Sequence, residues 1–303
     1  MRFGILGQLE VRGVGHLEPR EARTLAVLLL SSNRLVTREQ LMDGIWDEAP
    51  PATAPRQLLN CVSRLRRRLE PGRIQSNSAG YRITVSDGDL DAAVFAGLVE
   101  SAAELRHTGH GAGAARLLRS ALALWRGPAL AGLTGRVVEA AAARLDDQRL
   151  AVLEQCLELE LDHGSGDAVI GELTELVARH PLRERPVGLL MLALNRASRR
   201  AEALAAYRNL GRRLADELGI DPASELCDLY TSILRDDGRA AAASPPVIPR
   251  LPAAVRCFVG RDADSKELTG LLDALGGRDL VIAFLEGSPI LVVPPGLLAT
   301  DPV

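Results

Sequence analysis

Thr53-Ala-Pro-Arg-Gln-Leu-Leu-Asn-Cys-Val-Ser-Arg-Leu-Arg-Arg-Arg-Leu69 is the stretch on which the reading of this chain turns. At 100° per residue it makes a helix with two unlike faces. Leu58, Val62, Leu65 and Leu69 fall at i, i+4, i+7 and i+11 and form one apolar stripe. Arg56, Asn60, Ser63 and Arg67 point away from that stripe, with Arg64 on the flank. Arginine forks onto guanine or phosphate, Asn pairs with adenine, and Ser suits either kind of contact. One face fits a core and the other fits a DNA major groove. A basic helix face also fits plain solvation, so the neighbouring segments have to decide.

Upstream, Thr37-Arg-Glu-Gln40 has capping-box spacing and opens a helix to Trp46, with Leu41, Ile45 and Trp46 on its apolar side. A Leu- and Ala-rich helix over about Pro19–Ser32 precedes it. Asp47-Glu-Ala-Pro-Pro-Ala52 is a proline-bearing turn between the second helix and the basic one. Downstream, Arg73–Val85 reads as two short strands around a polar, Gly-containing turn. At the N-terminus Phe3, Ile5, Leu9 and Val11 alternate as in a strand interrupted at Gly7. Strands, three helices and a hairpin make a winged helix-turn-helix. Residues 1–85 carry 13 Arg against 8 Asp/Glu, a net charge of +5, while the whole chain is −3, which leaves about −8 for the remainder. A basic module on an acidic remainder is the footprint of a DNA reader. Arg20, Arg23 and Arg82 are expected to add phosphate contacts, which set register and not sequence choice.

At 303 residues and 47% apolar content the chain supports two cored domains and a tail, yet aromatics are only 3%, so the cores must be Leu/Ala/Val helical packing. Lys266 is the only lysine. The N-terminus enters a strand at once and no apolar run reaches about 18–20 residues, so neither a signal peptide nor a membrane span is expected. Cys61, Cys156, Cys227 and Cys257 are far apart without a CxxC pair, and His107 and His110 have no further ligands nearby. Free thiols in a reducing cytoplasm are expected, with no metal, no cofactor and no catalytic residues.

From about Asp91 to Leu234 the pattern is helical, with helices expected near 92–106, 112–125, 136–162, 166–179, 183–197, 200–218 and 223–234. Cys156–Leu161, Gly164 and Val169–Leu173 recur 34 residues later as Leu190–Asn195, Ser198 and Ala203–Tyr207. A 34-residue period of helix–turn–helix units is the tetratricopeptide signature, a scaffold that binds partners or a second copy through its surfaces. Glu158, Glu160 and Asp162 alternate with leucines and read as a solvated face. The fold class is therefore mainly α with a small β part: a winged helix over 1–88 and an all-α repeat domain over 91–235.

Residues 1–85 resemble the OmpR/PhoB-type winged helix, through Ser63-Arg-Leu-Arg-Arg67 and Gly80-Tyr-Arg82. The opening Phe3-Gly-Ile-Leu-Gly-Gln-Leu-Glu-Val11, the run from Asn33 to Trp46 and Pro50-Pro-Ala-Thr53 are similar to the Streptomyces antibiotic regulatory protein (SARP) family of activators. Leu124-Trp-Arg-Gly-Pro-Ala-Leu130, His180-Pro-Leu-Arg-Glu184 and Leu214–Pro222 resemble the bacterial transcriptional activator domain that follows in those regulators. The resemblance implies a cytoplasmic, nucleoid-associated activator of a secondary-metabolite gene cluster. It would bind direct repeats near the −35 region of double-stranded promoter DNA as a dimer or side-by-side protomers, and recruit RNA polymerase through its sigma or alpha subunit. The expected DNA-facing residues are Arg56, Asn60, Ser63, Arg64, Arg67, Ser76, Asn77 and Arg82, and the loop with Asp47, Glu48 and Thr53 is the expected polymerase contact.

The tail departs from the larger family members. An Ala/Pro linker is expected over 236–257, and Phe258–Leu272 is similar to the opening of an NTPase domain. Leu280–Leu285 reads as a strand, but Glu286-Gly-Ser-Pro-Ile lacks the Gly-Lys pair that holds phosphates, so 258–303 reads as a truncated, poorly ordered remnant that binds no nucleotide. No phosphoacceptor receiver domain is expected ahead of the DNA-binding strands, so control by expression level or by contacts of the helical domain, not by aspartyl phosphorylation, is the expectation. A repressor or dual regulator remains open, since DNA binding does not fix the sign of the output. A nucleotide-dependent switch is the reading from another class, disfavoured by the missing phosphate loop.

Overall fold

In a computed structural model, the structure describes residues 2–47, 49–164, 166–243, 281–285 and 288–292. Residues 1–239 form one compact unit and 240–303 a second. The first unit opens with a small antiparallel hairpin, β1 (Phe3–Gly4) and β2 (Glu10–Val11), followed by α1 (Pro19–Leu30). Proline at the start of α1 is pre-set for a helix, and an Ala/Leu/Val run keeps it going. Leu25, Ala26, Leu28 and Leu29 are buried, so α1 is the central post of the winged helix.

Then come β3 (Val36–Thr37), α2 (Arg38–Trp46) and α3 (Ala54–Arg68). The capping box is present: Thr37 Oγ1 accepts the Gln40 N–H at 3.2 Å and Gln40 Oε1 accepts the Thr37 N–H at 2.9 Å. Strand β3 is an addition to the sequence reading. It makes the wing a three-stranded antiparallel sheet in the order β3-β5-β4, with β4 (Ile74–Ser76) and β5 (Gly80–Ile83). Gly80 has a physical reason, because a Cβ there would lie 2.0 Å from the Val36 carbonyl oxygen.

Seven helices follow: α4 (Asp91–His107), α5 (Gly111–Leu122), α6 (Arg136–Asp162), α7 (Gly166–Arg179), α8 (Glu184–Arg196), α9 (Arg200–Leu218) and α10 (Ser224–Ala243). From α4 to α9 each packs on the next, as a helical repeat requires. The 34-residue period holds in the backbone. Helices α7 and α9 begin at 166 and 200, and the turns before them carry left-handed residues at Gly164 (φ 92°) and Ser198 (φ 59°). Helix α10 continues to Ala243, into the segment whose composition suggested a linker. Alanine is the strongest helix former, and the first proline comes only at 245.

One hydrophobic core runs from the hairpin through the winged helix and into α4, α5 and the first part of α6, from Phe3 to Leu159. A second core spans the end of α6 through α10. The 27-residue α6 serves both, with Val138, Leu145 and Val152 in the first and Leu157 and Leu161 in the second. Of the acids read as a solvated face, Asp162 is exposed, but Glu158 and Glu160 are half-buried and paired, which corrects the sequence reading for those two. Glu160 and Glu172 together grip Arg119 at 2.5–2.9 Å, Glu158 meets Arg185 at 3.0 Å, and Asp162 meets Arg196 at 3.1 Å. Buried Glu154 takes Arg183 at 2.5 Å. Arginines on flanking helices reach these acids, a pairing that spacing within α6 alone cannot reveal.

In the second unit, β6 (Val281–Leu285) and β7 (Ser288–Val292) form an antiparallel hairpin with Leu285 opposite Ser288. The strand expected at 280–285 is present. The rest of the tail reading lies outside the described residues.

Candidate nucleic-acid interface

Helix α3 starts behind Thr53 with Pro55 in its first turn and ends in Arg66, Arg67 and Arg68, whose charges oppose the negative end of the helix dipole. Its inner face is the predicted one: Leu58, Val62, Leu65 and Leu69 are all buried. Arg56, Asn60, Ser63, Arg64 and Arg67 are all exposed. Leu59 is exposed too, at 57%, in the same outer row. The sequence reading passed over Leu59 because a leucine in a helix is assigned to the core by default.

The arginines of α3 divide by what they touch. Arg56 and Arg67 have no hydrogen-bond or ion-pair partner among the described residues. Arg66 Nε donates to the Ile74 carbonyl at 3.0 Å, which ties the helix end to the wing. Arg68 donates to the His16 carbonyl at 2.7 Å. Arg64 and Arg68 both face Glu21 of α1, at 3.5 and 3.4 Å. Cys61 lies beside that carboxylate, and burial first, then the Glu21 charge, pushes its thiol pKa up. After α3, Glu70 accepts from Arg2 and Arg73, and these two guanidiniums hold its carboxyl below the usual carboxylate range.

At the wing, Ser76 and Asn77 are exposed at the tip. Asn77 Oδ1 accepts the N–H groups of Ala79 and Gly80 at 3.0 and 2.9 Å, so the side chain shapes the turn it sits in. Arg82 is exposed and donates to Gln75 across the strands at 2.6 Å. Arg23, expected at a phosphate, is used elsewhere: it donates to the Ile45 carbonyl at 2.9 Å and to Thr134. Arg20 is exposed at the start of α1.

The loop before α3 is tied to the helical array. Asp47 stands at φ 55°, a left-handed backbone uncommon for a residue with a side chain. Its carboxylate accepts the Arg136 N–H at 2.7 Å, capping the start of α6. Thr53 is exposed and accepts from Gln57 Nε2 at 2.8 Å. Glu48 lies outside the described residues.

A second junction holds the N-terminal hairpin. Asp91, fully buried at the start of α4, accepts the N–H groups of Ile5 and Leu6 at 2.9–3.0 Å, and Arg126 reaches the same carboxylate at 3.2 Å. The Arg126 and Leu130 N–H groups donate to the Leu6 and Ile5 carbonyls. Trp125 packs edge-on against Phe95, with Arg149 over its ring at 5.1 Å. The Leu124–Leu130 motif is thus the staple between the two parts of the unit. A Cβ at Gly4 would fall 2.3 Å from the Arg126 guanidinium, so a side chain there would displace that arginine.

Comparison with known proteins agrees with this geometry. A model of the bacterial transcriptional activator domain matches residues 90–234, and one of the transcriptional regulatory protein C-terminal domain matches residues 13–83. The regulatory protein DnrI of Streptomyces peucetius is 31% identical over 253 residues, 78% of this chain and 93% of that protein. The chain belongs to the Streptomyces antibiotic regulatory protein family. The regulatory protein AfsR of Streptomyces coelicolor is 40% identical over 292 residues, and this SARP chain spans 29% of its length. For the AfsR of Streptomyces griseus the share is 31%. A solved structure of Mycobacterium tuberculosis EmbR in complex with a low-affinity phosphopeptide superimposes with a TM-score of 0.73 at 28% identity, covering 96% of this chain and 77% of that one. SARP proteins are transcriptional regulators, not enzymes. Among the described residues no three His, Cys, Asp or Glu are grouped to hold a metal ion, and no helix is long and apolar enough to cross a membrane.

Proposed function

We propose that this SARP chain is a sequence-specific transcriptional activator that lays α3 in the major groove of promoter DNA. The observation that carries the reading is the outer row of α3, where Arg56 and Arg67 stand exposed beside Asn60 and Ser63, without a partner among the described residues. Arg67, Arg64 and Arg56 supply forks for guanine or phosphate, Asn60 suits adenine, and Leu59 suits a thymine methyl. Ser76, Asn77 and Arg82 bring the wing to the adjacent backbone or minor groove, with Asn77 limited to its amide N–H groups because its oxygen shapes the turn.

The target is a set of direct repeats near a −35 element, in a secondary-metabolite cluster in the cytoplasm. Protomers sit side by side, and repeats spaced about one helical turn, roughly 10–11 base pairs, keep them on one DNA face. The loop Asp47–Thr53 contacts RNA polymerase. In this reading Thr53 and Glu48 offer the contact and Asp47, engaged by the Arg136 N–H, sets the loop's position. Genome-wide footprinting of the expressed protein tests the reading, with tandem repeats upstream of biosynthetic genes as the expected result. A promoter–reporter assay fixes the sign of the output, and repression there would overturn activation while leaving the DNA interface intact.

A further inference from the structure

Glu21 is only 3% exposed, and it is the one acid of the winged helix, among the described residues, buried against the arginine row. It sits on α1 and looks across at α3. Its two oxygens meet Arg64 at 3.5 Å and Arg68 at 3.4 Å. These separations are longer than a tight charge-assisted hydrogen bond of about 2.7–2.9 Å, so each is an ion pair that leaves most of the guanidinium's donors available. Arg64 keeps 61% of its side chain exposed and Arg68 keeps 40%. Arg64 thus meets the protein at one end of its fork while most of its side chain stays exposed, on the same helix as Asn60 and Arg67.

Two consequences follow from charge and geometry. An arginine partly compensated by a buried carboxylate attracts phosphate less, and phosphate attraction is the sequence-independent part of DNA binding. An arginine with a fixed fork keeps its directional hydrogen bonds to a base edge, which is the sequence-dependent part. The contrast with Arg67 is direct. Arg67 has no such anchor among the described residues and is free to take either kind of contact.

Building on the recognition-helix reading, we infer that Glu21 is a specificity-determining positioning residue, which holds Arg64 in a base-reading orientation and weakens its pull on the DNA backbone. The carboxylate never touches DNA. It acts through Arg64.

The test compares the full chain with Glu21→Gln on two duplexes of equal length, the footprinted operator and an unrelated sequence, across a salt titration. On the unrelated duplex the variant should bind several-fold tighter, and its salt slope should steepen by about one to two as Arg64 and Arg68 lose their shared carboxylate. Discrimination between the duplexes should fall by about tenfold, the scale of one weakened bidentate base contact. In an Arg64→Ala background the same substitution should no longer change the discrimination. Unchanged slope and discrimination in folded Glu21→Gln would overturn the inference. If that variant fails to fold, the wild-type protein answers by NMR of its arginine side chains. Guanidinium rotation should be hindered at Arg64 and free at Arg67 without DNA, and equal mobility would count against the proposal. If wild type itself does not tell operator from unrelated DNA, the recognition-helix reading fails, a result seen before any substitution is made.

Discussion

Helix α3 and helix α6 use arginine in opposite ways. Around α6 the charges close on one another: Arg119 on Glu160 and Glu172, Arg183 on Glu154, Arg185 on Glu158 and Arg196 on Asp162. On α3, Arg56 and Arg67 are exposed, and among the described residues only the flanking Arg64, Arg66 and Arg68 are tied to protein groups. Charge closed within the protein holds helices together, and charge left open is available to a polyanion. The overall composition, 36 basic against 39 acidic residues, hides this division completely.

The largest effect expected on the closed side comes from the junction carboxylate. Asp91→Ala removes the acceptor for two backbone N–H groups of the hairpin and leaves Arg126 without its buried partner. Arg126 is itself 37% exposed, so the cost falls mainly on the two N–H groups left without an acceptor, and urea melts should show a loss of about 3 kcal/mol. A loss under about 1 kcal/mol, within the range of an exposed pair, would mean that the staple does not hold the hairpin.

On the open side, the double substitution Arg56→Ala with Arg67→Ala should leave the melting temperature nearly unchanged and weaken operator binding. Each lost base contact is worth about 1–3 kcal/mol, and phosphate contacts would show instead as a shallower salt slope. Gel-shift titration separates the two. Wild-type affinity in the double variant would break the comparison at its centre.

Arg183→Ala sharpens it from the other direction. Glu154, 2% exposed, would keep, among the described residues, only Arg185 at 3.8 Å. Arg183 itself is about a third exposed, so the loss should be about 2 kcal/mol, below that for a fully buried pair. DNA affinity measured well below the melting temperature should not move. Burial first, then the charge of Glu160, pushes the Cys156 thiol pKa up to about 12, so at pH 8 it stays protonated. Alkylation of the native protein at that pH should therefore be slower at Cys156 than at half-buried Cys227, with peptide mass mapping as the readout. The smallest effect belongs to Ser198→Gly. It relieves a left-handed backbone in the turn that matches Gly164 and should stabilise by a few tenths to about 1 kcal/mol in thermal melts.

Much of this was legible before any coordinates. The α3 stripe, the Thr37–Gln40 capping box and the 34-residue period are local or strictly periodic signals, and each is in the structure. Strand β3 escaped notice because two residues carry no alternation to detect. Glu21 escaped because its partners lie 43 and 47 residues away. Glu158 and Glu160 were misread for the same reason, since the arginines that close on them sit on other helices.

The sequence by itself determined the order of elements, the apolar faces and the outward row Arg56, Asn60, Ser63 and Arg67, because helical periodicity turns spacing directly into direction. Only the tertiary structure decided which arginines are committed to the protein and which remain open. An ion pair depends on distance in space, and chain spacing carries no information about a carboxylate on another helix.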